Sequence, residues 1–128
     1  MDAMTILNNV KFAYDYSDNQ SDLFTAYHVR YKCIIKHNGK QYTFDYQCNE
    51  RNNPTLKDCL YCLILDMMSA ENALDVDDFL KEFGYTDNLE TVRKGEKAYK
   101  ECVKTGKALR RLFDDDEIEV LDEYFQNY

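Results

Sequence analysis

Cys59-Leu-Tyr-Cys62 is the one pair of soft ligands at metal-binding spacing in this chain, and Asp66 follows one helical turn later. On a helix these three side chains share an edge. A structural zinc site needs four ligands, commonly from a second Cys or His pair. The remaining cysteines are scattered, and the only histidines are His28 and His37. A redox CxxC places its thiolate at an exposed helix start; here it lies a turn inside an apolar segment. The pattern therefore reads as small core residues, with no metal and no cofactor expected. Five cysteines cannot all pair within one chain, which points to reduced thiols in a cytoplasm.

His28 and His37 have the chemistry of general bases, yet neither belongs to a nucleophile or carboxylate motif. His37 precedes a turn and reads as solvated. There is no phosphate-cradling glycine loop, no HExxH and no GxSxG, so no catalytic residue is assigned and a non-enzyme is expected. No stretch approaches the ~18 apolar residues of a membrane helix, and the start of the chain lacks the pattern of a signal peptide.

Charge is the strongest remaining signal. The formal net charge is −8, which disfavours indiscriminate attraction to polyanions. Its distribution is uneven. Residues 66–90 hold eight acids against one lysine, 93–111 hold eight bases against two acids, and 114–123 hold seven acids. Arg93, Lys97, Lys100, Lys104, Lys107 and Arg111 recur at spacings of four and three. At 100° per residue they fall within about 80° of a helix circumference. Such a strip is a solvated helix face or a contact for phosphates or an acidic protein. The acids divide into Asp75, Asp77, Asp78 and Glu82, and then Asp114, Asp115, Asp116, Glu119, Asp122 and Glu123. Acids at helix starts favour the N-terminal dipole; in bulk they can imitate the charge of nucleic acid.

The elements that carry these residues are legible. Asn38-Gly39 is a type I′ turn signal, because both central residues need positive φ. A two-residue loop fixes the register: Ile35 faces Tyr42, Cys33 faces Phe44, Tyr31 faces Tyr46 and Val29 faces Cys48 on one apolar side. On the other side Lys36 faces Gln41, Ile34 faces Thr43, Lys32 faces Asp45 and Arg30 faces Gln47. Val10, Phe12, Tyr14 and Tyr16 alternate with polar or small residues and predict a third strand. Ser17 to Asp22 then predicts the turn into the hairpin. Thr55 and Asp58 form a capping-box-like pair before an apolar helix through Leu56, Leu60, Leu63, Met67 and Ala70. Asp75 caps a short helix stopped by Gly84. One long helix runs from about Asn88 to Phe113, with Gly95 and Gly106 on its buried side, where a missing side chain permits close approach or a bend. Asp114 to Glu117 opens the last helix, with Ile118, Leu121, Tyr124 and Phe125 inward. The expectation is a single α+β domain over residues 1–128: a three-stranded antiparallel β-meander packed against about four α-helices.

Three stretches carry a resemblance: GKQYTFDYQ (Gly39 to Gln47), PTLKDCLYCLILD (Pro54 to Asp66) and DVDDFLKEFGY (Asp75 to Tyr85). Together they resemble small accessory proteins of bacteriophages and prophages, a class that includes anti-CRISPR inhibitors. That resemblance implies a non-catalytic counter-defence protein in the host bacterial cytoplasm. It would bind a nucleic-acid-targeting CRISPR effector complex, with the acidic helices imitating phosphate. The alternative expectation is a nucleic-acid-associated phage protein that uses the basic strip.

Overall fold

The structure is a computed structural model that describes residues 1–19, 28–49 and 53–128. It is α+β, with a three-stranded antiparallel sheet and five helices among the described residues. The chain divides into two compact units. One comprises Met1–Tyr61 with Arg111–Tyr128, the other Cys62–Arg110.

The first unit opens with α1 (Ala3–Asn9), an element not anticipated from the sequence. Its signal was present. Asp2 is an N-cap whose carboxylate accepts from the Thr5 amide at 2.8 Å and the Thr5 hydroxyl at 2.9 Å. Those bonds hold the Asp2 carboxyl below its ordinary pKa. Ala3, Ile6, Leu7 and Val10 are buried at helical spacing, and α1 packs on the last helix.

The sheet runs β1 (Lys11–Asn19), β2 (His28–His37) and β3 (Lys40–Asn49), in that spatial order. All eight expected cross-strand pairs of the hairpin are present. Asn38 and Gly39 have φ of 53° and 75°, as a type I′ turn requires. β1 pairs Phe12 with Ile35, Tyr14 with Cys33 and Tyr16 with Tyr31, and its register shifts between Tyr16 and Asp18. The strand begins one residue after Val10. It also continues to Asn19, so Ser17 to Asn19 are strand and not turn; the rest of that expected turn lies outside the described residues.

Val29, Tyr31, Cys33, Ile35 and Phe44 are buried on one face. The opposite face is open, and there Lys32 and Asp45 form an exposed ion pair at 3.5 Å, a contact of at most about 1 kcal/mol. The inner face meets the first turns of α2 (Leu56–Glu71), where the Cys59 and Cys33 thiols are hydrogen-bonded. Coverage is weaker at the edge. Tyr14 and Tyr16 share the inner face yet are 40% and 60% exposed, stacked edge-on against Tyr31. The last helix, here α5 (Asp115–Gln126), buries Ile118, Leu121 and Phe125, with Tyr124 half-buried. The Tyr128 hydroxyl ties the C-terminus to Asp58 at 2.6 Å.

The second unit holds the remainder of α2, then α3 (Val76–Glu82) and most of α4 (Leu89–Leu112). Asp75 caps α3 through the Asp78 amide at 2.9 Å. Gly84, at φ 78°, closes it, with the Tyr85 amide returning to the Leu80 carbonyl at 2.8 Å. Asn88 starts α4 by accepting from the Thr91 amide at 2.9 Å.

α4 is one continuous helix through both glycines, and these do different work. A Cβ on Gly95 would collide with Leu80 and lie 2.5 Å from Tyr85 Cβ. A Cβ on Gly106 would lie 3.2 Å from Met67 Cγ, an atom on a flexible side chain. Close approach of the backbone therefore explains Gly95 strongly and Gly106 weakly.

Candidate functional site

The outer face of α4 carries a strip of basic side chains. Arg93, Lys97, Lys100, Lys104, Lys107 and Arg111 are all exposed. Among the described residues none of the six forms an ion pair within 4.0 Å. Their helical neighbours behave differently. Lys94 pairs with Glu90 at 3.6 Å, and Arg110 makes a two-pronged contact with Glu71 at 2.8 and 2.9 Å. Spacing of three and four turns the six free cations to one side, while Thr105, Ala108, Leu109 and Leu112 turn to the buried side.

The acids are more varied. Asp75, Asp77 and Glu82 are exposed on α3, and Asp78 is half-buried. Asp75 is occupied as an N-cap, and Asp78 accepts the Leu74 amide at 3.1 Å. At α5, Asp114, Asp115, Asp116, Glu119 and Glu123 are exposed, and Asp122 is half-buried. Asp114 accepts the Glu117 amide at 2.8 Å, and Asp122 accepts from Gln126 at 3.4 Å. The two acidic groups belong to different compact units.

Cys59, Cys62 and Asp66 do not converge. Among the described residues no three His, Cys, Asp or Glu side chains are grouped to hold a metal ion. None of the five cysteines is in a disulfide, and Cys59 is fully buried. Burial pushes the Cys33 and Cys48 thiols up, and lifts Cys102 to about 11 with a contribution from nearby Asp66. Desolvation also pushes the Asp66 carboxyl up, although part of the side chain reaches solvent.

His37 corrects the sequence reading. It is not solvated: it is 9% exposed, and its Nε2 lies 2.7 Å from Glu117 Oε2, a carboxylate that is itself buried. The strand period gives the reason. His37 continues the series Val29, Tyr31, Cys33 and Ile35, so it points inward with them.

Glu117 was missed for a related reason. Asp114-x-x-Glu117 is a capping box, and the structure has both halves: Asp114 Oδ1 receives the Glu117 amide, and Glu117 Oε1 receives the Asp114 amide at 3.1 Å. The same carboxylate then serves His37 and, at 3.4 Å, the Asn38 amide group. Asn38 also donates to the Leu112 carbonyl at 2.9 Å, and Phe113 stacks on the imidazole at 4.8 Å. The His28 side chain lies outside the described residues.

Among the described residues, no helix is long and apolar enough to cross a membrane. No family model, no curated protein and no solved structure matches this chain.

Proposed function

We propose that this chain is a non-catalytic binding protein that docks by charge, and that the basic face of α4 contacts a nucleic-acid phosphate backbone. One observation carries the reading: six exposed cations lie on one side of a 24-residue helix, and none is ion-paired among the described residues. A helix face rich in such cations can neutralise phosphates and release their counterions on contact. The overall negative charge would keep such binding weak away from that face. Fluorescence anisotropy with labelled DNA and RNA at low ionic strength tests it. Wild type should bind, and Lys97→Glu/Lys100→Glu/Lys104→Glu should not, while both melt at similar temperatures. Equal binding by the two proteins would refute the assignment.

A second reading places the chain in phage counter-defence, in the cytoplasm of a bacterial host, as an inhibitor of a CRISPR effector. The exposed carboxylates Asp77, Glu82, Asp116, Glu119 and Glu123 favour it, since an array of carboxylates competes with nucleic acid for Lys- and Arg-lined channels. It predicts stoichiometric inhibition of a purified effector complex. Asp77→Asn/Glu82→Gln or Asp116→Asn/Glu119→Gln should relieve that inhibition.

A further inference from the structure

β1 is an outer strand of the sheet. It is hydrogen-bonded to β2 on one side, and among the described residues no strand pairs with its other side. An unpaired edge offers backbone N–H and C=O groups to any strand that reaches it, and proteins commonly blunt such an edge with proline, a bulge or charged side chains. From Lys11 to Tyr16 there is no proline, and the register with β2 is unbroken. The stretch holds two charges, Lys11 and Asp15, and they are of opposite sign.

Those charges are unevenly answered within the chain. On the open face Asp15 lies opposite Lys32, whereas Lys11 lies opposite Lys36. Opposite charges across a strand pair are favourable, and like charges are not. Lys11 is exposed and makes no ion pair within 4.0 Å among the described residues. On the inner face the strand carries rings that are only partly covered. Phe12 is half-buried, Tyr14 is 40% exposed and Tyr16 is 60% exposed.

We infer that β1 pairs antiparallel with β1 of a second copy of this chain, about a twofold axis at Ala13, joining the two three-stranded sheets into one. The axis stands normal to the sheet, so each face continues as the same face in the partner. Lys11 then opposes the partner's Asp15, and Asp15 opposes the partner's Lys11, so the axis makes two opposite-charge pairs. Phe12 opposes the partner's Tyr14 on the inner face, an aromatic cross-strand contact of the favourable kind. No other centre between Lys11 and Tyr16 does this. Lys11 or Asp15 at the axis would meet its own like charge. Phe12, Tyr14 or Tyr16 at the axis leaves both charges without an opposite partner. β3, the other outer strand, has no equivalent register. Its only charged residues are Lys40 and Asp45, whose odd spacing puts them on opposite faces. Charge complementarity therefore selects both the strand and the register. The paired stretch is short, which places the dimer among weak, concentration-dependent associations. It stands independently of the α4 strip.

The experiment is sedimentation equilibrium of wild type, Lys11→Glu, Asp15→Lys, and an equimolar mixture of the two variants. Wild type should show a monomer–dimer equilibrium, and each variant alone should dimerise at least roughly tenfold more weakly. The mixture should recover wild-type affinity, because the heterodimer restores two opposite-charge pairs. Lys11→Glu replaces a like pair with Lys36 by an opposite one, so it should melt no lower than wild type, and its loss of dimer is not unfolding. Asp15→Lys reduces the net negative charge, so its loss of dimer is not overall repulsion. Wild type that stays monomeric up to about 1 mM overturns the proposal. So does a dimer that Lys11→Glu leaves unchanged, which would use another face, or a mixture that associates no better than its components.

Discussion

The start of α5 and the outer face of α4 are both densely charged, and they use charge in opposite ways. At α5, Asp114 and Glu117 each accept the other's backbone amide, and Glu117 also holds His37 and Asn38. Those carboxylates are occupied by the fold. On α4 the cations at 93, 97, 100, 104, 107 and 111 face solvent, and none of them forms an ion pair within 4.0 Å among the described residues. Charge density alone would rank the two regions together. Hydrogen-bond accounting separates them, and it is the charge without a structural duty that is free for a partner.

The sharpest way to break this contrast is at Glu117. Glu117→Ala strands a buried imidazole and removes half of the capping box, and should cost about 3–5 kcal/mol. Glu119→Ala, two residues on and exposed, should stay within roughly 0.5 kcal/mol. Chemical denaturation of the pair decides it; equal losses would mean that Glu117 is not the anchor described here. Phe44→Ala, which empties a buried position on the inner face of the sheet, belongs on the same scale at about 3–5 kcal/mol.

The two glycines of α4 sharpen the comparison within its buried side. Gly95→Ala should destabilise by about 1–3 kcal/mol despite alanine's better helix propensity, because Leu80 and Tyr85 have no room for a methyl. Gly106→Ala should fall within about 1 kcal/mol of wild type, since Met67 can yield and propensity favours alanine. Similar melting temperatures for both variants would contradict the difference in packing.

The smallest effect expected is at Asp66, whose carboxyl is pushed up by desolvation. A raised folded-state value means that ionisation opposes folding, so the penalty is absent below the unfolded-state value and sets in as pH rises through the two. Asp66→Asn should therefore melt slightly higher than wild type at pH 7, with the gain vanishing in acid. A gain that persists unchanged in acid would show that its origin is not the charge.

The sequence carried the sheet and helices well because each rested on agreeing local signals. Asn38-Gly39 and strict alternation gave the hairpin register residue by residue. Asp75 and Gly84 marked helix ends by cap chemistry. α1 escaped because it is two turns long, although Asp2 and the Ala3, Ile6, Leu7 spacing were there to be read. The His37–Glu117 pair escaped because its partners are 80 residues apart, and no local pattern reports a contact of that span. Strand parity points His37 inward, against the solvated reading taken from its place beside the turn, and Asp114-x-x-Glu117 has capping-box spacing that went unused; only the fold brings the two residues together. The α4 strip was legible throughout, since helical spacing needs nothing beyond the helix itself.

The central claim is that the α4 cations are a working surface. The salt dependence of nucleic-acid affinity tests it most directly. Wild-type log K should fall linearly with log salt, and each cation neutralised on the strip should reduce the slope by roughly 0.7–0.9. No measurable affinity at low salt, or a slope unchanged when Lys97, Lys100 and Lys104 are neutralised, would contradict it.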